Sequence, residues 1–421
     1  MHKSITGMLI FLFVITLLSL FASDNGAQRP DGKAGVEILA FVESSEGLPV
    51  VGQWREGISF CDINKDGHLD ILAPPPRKAA KEERRPYVWL GNGKGEWLSS
   101  PPHVPANVSD DYGDIAAADF NGDGIPDMAL AIHYAGLHGL KGRGDGQYSA
   151  FSEGLPAVKD FATRALVSAD FNHDGIADIA AVSEAVSHKK KISPKRGAMV
   201  CLGTPTGCQC RRIGDEKMTN GLFADQIITG DVNGDGNVDI GIASLQHMED
   251  LIVWIGDGKG GFTPFNQGLP TGRHYRSVAF ADLNRDGRDD LVVSITGFRA
   301  DGTKVLKAFL SEEDGFKDIS QGLPDQEVYF AVAAGDLDGD GLPEIVGGTA
   351  AGGLKVFSRK NAQWCQVAVS GLPETGLQRL SGIYCVDLNR DGFNDIVFNY
   401  ASGKNNTGGI RVFLTVPRQG K

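Results

Sequence analysis

Asp336-Leu337-Asp338-Gly339-Asp340-Gly341-Leu342-Pro343-Glu344 is one of seven copies of a nine-residue loop, and the reading of that loop decides the fold. The other six follow Asp-x-Asn-x-Asp-Gly-x-x-Asp, from Asp62 to Asp70, Asp119 to Asp127, Asp170 to Asp178, Asp231 to Asp239, Asp282 to Asp290 and Asp387 to Asp395. Oxygen-bearing side chains at positions one, three, five and nine, with a Gly at six for the sharp turn, suit a hard oxygen-seeking cation, calcium above all. An EF-hand would need an acid at position twelve, where this chain has Ala73, Leu130, Ala181, Ile242, Val293, Gly347 and Phe398. A metal-free Asp-Gly turn explains one copy, but not the same carboxylate at position nine seven times over.

The expected side-chain ligands are Asp62, Asn64, Asp66 and Asp70, then Asp119, Asn121, Asp123 and Asp127, then Asp170, Asn172, Asp174 and Asp178. They continue with Asp231, Asn233, Asp235 and Asp239, with Asp282, Asn284, Asp286 and Asp290, with Asp336, Asp338, Asp340 and Glu344, and with Asp387, Asn389, Asp391 and Asp395. Position seven completes each set through its backbone carbonyl, at His68, Ile125, Ile176, Asn237, Arg288, Leu342 and Phe393. Up to seven structural Ca2+ ions are expected. The loop with Asp338 and the longer Glu344 departs from the pattern and is the one to doubt first.

The loops begin 51 to 61 residues apart, a repeat length that signals a propeller or solenoid and overrides the two or three domains that 421 residues would suggest. Each repeat has one internal order. A Gly-Leu-Pro element opens it, as at Gly154, Gly268, Gly322 and Gly371. A short apolar strand then runs into the acidic loop, a second strand leaves it, and two more follow before the next Gly-Leu-Pro. Four short strands with Gly-rich turns make one antiparallel propeller blade. The last repeat stops after its third strand at 409–416, while the N-terminal segment 36–49, with Ala40, Phe41 and Val42 before Gly47-Leu48-Pro49, matches a fourth strand. The expected fold is therefore all-β: a seven-bladed β-propeller of four-stranded antiparallel blades over residues 36–421, closed by the N-terminal strand completing the last blade.

Blades with this acidic loop between their first two strands, and a Gly-x-Gly turn with a following Phe later, resemble the FG-GAP or VCBS-type repeats of integrin α-subunit propellers and of many secreted bacterial proteins. The resemblance covers residues 36 to 418. It implies a fold and a metal site rather than an activity; relatives of this kind include adhesion proteins, lectins and some polysaccharide lyases.

Of the 53 acidic residues, 22 stand at ligand positions, and seven divalent ions would bring 14 positive charges against a formal −12. A near-neutral loaded protein implies neither a nucleic acid nor a membrane surface as partner. His2 and Lys3, the apolar run from Met8 to Phe21 and the small residues Ala22 to Ala27 have the order of a secretory signal, with cleavage between 22 and 27 and a linker over 23–35. The mature chain is thus expected outside the cytoplasm, secreted, periplasmic or at the cell surface, as a monomer with no membrane span. Cys201 could pair with Cys208 or Cys210 there.

The face opposite the loops is where function is expected. It gathers two basic inserts, Pro74 to Pro86 and Ser187 to Arg196, and the residues entering the first strands: Trp54, Arg55, Tyr112, Arg164, His274, Tyr275, Arg276, Tyr329 and Arg379. Aromatic and Arg residues around a channel mouth suit a glycan or protein ligand. His133, Tyr134, His138, His188, His247 and Glu249 lie on the same side without metal or catalytic spacing. Arg143-Gly144-Asp145 occupies a hairpin-turn position, where another blade has Gly256-Asp257-Gly258. The expected function is a non-catalytic binding or adhesion module, the alternative a secreted polysaccharide-acting enzyme using His133, His247 or His274.

Overall fold

Short side chains lead into each loop, as in β6 (Gly113–Ala118), and the strand leaving it starts on the position-nine acid, as in β7 (Asp127–Ile132). Every residue of β7, β11 (Asp178–Ser183), β19 (Asp290–Ile295) and β23 (Glu344–Thr349) is buried, as happens when a sheet is covered on both faces. Outer strands behave differently: β25 (Gln363–Ser370) keeps Trp364 buried and leaves most of its other side chains exposed or half-buried.

The computed structural model describes residues 38–417 except 56, 106–107, 109–110, 184–196, 215–223, 245–250, 296–304, 378–379 and 402–406. The expected signal and linker, the basic insert at 187–196, His188, His247, Glu249 and Arg379 lie outside the described residues, as does the side chain of Arg164. Among the described residues the chain is all-β apart from a 3-10 turn at Lys81–Glu83, and no helix is long and apolar enough to cross a membrane.

Five sheets have four strands each, in simple meander order. The sixth has eight, and it consists of two such meanders joined through β1 (Ile38–Glu43). One half of β1 runs parallel to β25, with Ile38 opposite Ala368 and Ala40 opposite Ser370. The other half runs antiparallel to β28 (Gly408–Thr415), with Phe41 opposite Thr415 and Glu43 opposite Phe413. The N-terminal strand thus supplies the fourth strand of the last repeat, as the sequence implies, and also grips the repeat before it. Four-stranded antiparallel blades of a propeller are the result, numbered here by their loops.

Neighbouring blades are tied at the inner strands by side chains that reach backbone amides. Asp114 Oδ2 accepts the N–H of Leu166 (3.1 Å), Gln226 Oε1 that of Val278 (2.9 Å) and Ser277 Oγ that of Val332 (3.1 Å). Between the last blade and the first, Tyr384 Oη accepts the N–H of Ile58 (3.1 Å), and one apolar cluster runs from Trp54, Ile71 and Trp89 to Val397, Ile410 and Val412. The ring is closed by packing as well as by hydrogen bonds.

At the rim, the Gly-Leu-Pro elements are clasps. Gly47, Gly154, Gly268, Gly322 and Gly371 all have positive φ, and a Cβ on any of them would lie 1.8 to 2.1 Å from a backbone oxygen of the adjacent outer strand. Both facts demand glycine. The residue before the Gly accepts a backbone N–H from that strand, as Glu153 does from Cys208 (2.9 Å), and leucines such as Leu48, Leu269 and Leu372 are buried beside it. Cys201 and Cys210 face each other across β12 (Ala198–Thr204) and β13 (Gly207–Ile213) and form a disulfide, which resolves the two pairings open in the sequence; Cys208 keeps its thiol.

Because Phe41 is 4% exposed and packs in one cluster with Phe398 and Phe413, truncating it attacks closure directly. Phe41→Ala should lower the unfolding free energy by about 3–5 kcal/mol, measured by denaturant titration.

Candidate metal centres

Each acidic loop is held by its own carboxylates. The position-one Asp accepts the N–H of the Gly at six through Oδ2, at 2.6 to 3.0 Å in all seven loops. The position-five Asp accepts the N–H of residue seven, at 2.8 to 3.0 Å. These bonds turn the backbone so that the side chains of one, three and five gather on the solvent side, except that Asn121 is buried. Asp336, Asp338 and Asp340 place carboxylate oxygens within 4.8 Å of one another, a spacing that oxygens ligating one calcium ion would share. Hard oxygen donors on a pre-turned backbone fit a hard divalent cation.

Position nine lies deeper. Asp70, Asp127, Asp178, Asp239, Asp290 and Asp395 are fully buried and Glu344 is 2% exposed. One oxygen accepts the N–H of loop residue two: Ile63, Phe120, Phe171, Val232, Leu283, Leu337 or Leu388, at 2.8 to 3.1 Å. In six blades the other accepts an N–H of the third strand, from Gly91, Gly142, Gly203, Gly256, Ser311 or Thr415. A single carboxylate therefore joins loop, second strand and third strand. Except at Asp127 Oδ2, which also accepts the Asn121 amide, each oxygen still has a second lone pair to offer an ion. The longer Glu344 makes the same bond to Leu337 but, in place of the third-strand N–H, has a side-chain hydrogen bond with Ser358.

Burial, reinforced by the other loop acids, pushes these groups up: Asp70 and Asp178 to about 6, Asp239, Asp290 and Asp395 to about 7, and Glu344 to about 8. Outer acids go the other way where they are hydrogen-bonded, Asp66 being lowered by the Asn64 amide and Asp123 by the Lys141 ammonium.

Position four was not singled out in the sequence, yet it is left-handed in every loop. Lys65, His173, Arg285 and Arg390 hold φ of 57 to 61°, and Gly122, Gly234 and Gly339 hold 70 to 73°. The recurring Gly at this position was the available signal. From it the loops reach each other: Lys65 Nζ donates to Gly124 O, His173 Nε2 meets Asn237 Oδ1 at 2.9 Å, and Arg285 Nε donates to Gly341 O at 3.0 Å. The third-to-fourth strand turns lie on the same side, Gly93 against His68 and Gly258 against Asn237.

On the opposite side the expected aromatic ring is not an open surface. Trp54, Tyr112, Tyr275 and Tyr329 are between 0 and 6% exposed. Trp54 packs edge-on to Tyr87 and Trp89 and donates Nε1–H to Val51 O (2.7 Å); Tyr275 donates to Pro270 O (2.7 Å) and Tyr329 to Glu327 (2.5 Å). Their bulk fills the core at the strand starts, which a period-two reading without burial could not separate from a ligand face. Arg55, His274 and Arg276 are half-buried. From the first insert, Arg77 lies over Tyr112 (5.4 Å), and the His133 ring sits tilted by 37° against both Tyr112 and Tyr134 (centroids 4.4 and 3.9 Å). Arg143-Gly144-Asp145 is a hairpin turn, with Arg143 N–H on Gln147 O and Gln147 N–H on Asp145 Oδ1.

A family model described as FG-GAP-like repeat matches residues 79–130, 120–181, 231–293 and 336–398, together more than half of the chain. The chain belongs to the FG-GAP-like repeat family. Three of the matched stretches run from one acidic loop to the next, so the family's unit contains the centres described above. The chain is also similar in sequence to phosphatidylinositol-glycan-specific phospholipase D: the Bos taurus protein is 28% identical over 123 residues, covering 28% of this chain and 14% of that one. The Homo sapiens protein is 24% identical over 189 residues, covering 42% of this chain and 22% of that one. The chain thus spans less than a quarter of the length of these relatives.

In the ion-free protein the raised position-nine acids set a pH dependence. Unfolding returns each carboxyl to its ordinary value near 4, so from about pH 4 to about pH 8 the folded protein holds more protons than the unfolded one. The stability these groups contribute is complete below that window and is lost across it. Calcium-free protein should therefore melt progressively lower from pH 5 to pH 8, read by circular dichroism in chelator.

Proposed function

We propose that the protein is an exported, calcium-loaded FG-GAP propeller that acts as a non-catalytic binding module for a protein or glycan partner. The observation that supports this best is the repetition of one self-supporting acidic loop on one side of every blade. Ions there order turns and join strands, a structural use that leaves the other side for recognition. The Cys201–Cys210 disulfide supports an oxidising compartment. On the side opposite the loops, Arg77, Arg55, Arg276 and His274 are among the polar groups a partner would meet, with the aromatics behind them as support rather than as a stacking surface. The named relatives are phospholipases, but the alignments cover 14% and 22% of their lengths, too little to carry the activity across.

Two outcomes test the proposal. Chelation should lower the melting temperature by many degrees and calcium should restore it, since each site adds RT ln(1 + [L]/Kd), about 2.7 kcal/mol at a hundredfold excess over Kd. Calcium-loaded protein on a glycan and extracellular-protein array should retain a partner unaltered, and Arg77→Ala or Arg276→Ala should weaken retention at least tenfold. Release of cleaved product from the retained glycan would replace the binding reading with the enzyme one.

A further inference from the structure

The loop of blade two differs from the others at one point. In five loops the position-three Asn (Asn64, Asn172, Asn233, Asn284, Asn389) donates its amide N–H to the position-five carboxylate at 2.9 Å. Its Oδ1 accepts the N–H of residue five, at 3.0 to 3.1 Å. Asn121 is turned inward instead. It is 4% exposed and donates to Asp127 Oδ2 at 2.5 Å. Its Oδ1 accepts a hydrogen bond from Lys141 Nζ at 3.2 Å, and the same ammonium lies 2.9 Å from Asp123 Oδ2.

Lys141 belongs to β8 (Gly136–Gly142) and directly precedes Gly142, whose N–H is on Asp127 Oδ1. Strand pairing fixes the equivalent position elsewhere: Ile71 faces Trp89, Ile179 faces Cys201, Ile240 faces Trp254, Leu291 faces Phe309, Ile345 faces Phe357 and Ile396 faces Phe413, as Met128 faces Leu140. The next residues are Leu90, Leu202, Ile255, Leu310, Ser358 and Leu414. Only blade two carries a cation there.

We infer that the Lys141 ammonium takes the place of the divalent ion in blade two, so that this loop folds without calcium and the full complement is six ions rather than seven. The inference rests on the calcium reading of the other loops. An ammonium group offers three N–H donors and no acceptor, and here it is engaged with the position-three and position-five oxygens that an ion would need. The amide of Asn121 occupies the position-nine oxygen on the same side. An entering ion would meet a like charge about 3 Å from the position-three and position-five oxygens, where Coulomb repulsion is strong. Blade two accordingly stays ordered at calcium levels that empty the other six.

Metal counting tests it. Protein equilibrated with calcium, then freed of unbound ion by gel filtration, is analysed by plasma emission. Six ions per wild-type chain are expected, seven in Lys141→Leu, six in Asp123→Asn and five in the control Asp286→Asn. Seven ions in the wild type, or five in Asp123→Asn, would overturn the inference and leave calcium binding intact. A folded Lys141→Leu that still holds six would overturn it as well; should that variant fail to fold, Asp123→Asn decides. An ion-free wild type would remove the calcium reading itself, and the inference with it.

Discussion

One buried carboxylate per blade, accepting a backbone N–H from its own loop and in six blades another from the third strand, is the interaction on which the structure depends. Left without those donors it would be an unpaired charge in the core, and the amides would be orphaned with it. Because the acid is fixed by strand geometry, the loop above it inherits a set direction. The outer oxygens at positions one, three and five then gather without further help from neighbouring elements.

Interlocking extends this order from blade to blade. Where position four is Gly, at 122, 234 and 339, the close approach lets the N–H of residue eight in the next loop reach the carbonyl of residue one, as Ala177 does to Asp119, Asp289 to Asp231 and Asn394 to Asp336. Where position four is Lys65, His173 or Arg285, a side chain bridges the gap instead. The loop side is therefore hydrogen-bonded from loop one through to loop seven, and variation between the blades falls on the other side. Insertions such as Pro74 to Pro86 fall there, joining the second and third strands.

Much of this was legible because the loops carry period and chemistry together. Oxygen donors at fixed spacing gave the turns, their recurrence gave the blades, and the missing fourth strand at the C-terminus pointed to β1. Three things were not legible. Parallel pairing of β1 with β25 leaves no pattern, since a parallel neighbour asks only for an apolar edge. Tyr275 and Tyr329 look like ligand-stacking residues until burial shows that they plug the core at the bulged starts of their strands. Lys141 sits on a strand rather than in a loop, and only strand pairing brings it to Asp123.

On the proposed calcium reading, the position-nine acid and the outer acids have separable duties, the first needed by the fold itself and the second by the ion. The most direct measurement compares the melting of Asp290→Asn and Asp286→Asn with the wild type, each in calcium and in chelator. Asp290→Asn should melt lower in both conditions, because an amide nitrogen is placed against a backbone N–H. Asp286→Asn should melt lower in calcium alone. Equal loss by both variants in chelator, or no loss by Asp290→Asn there, would contradict the account.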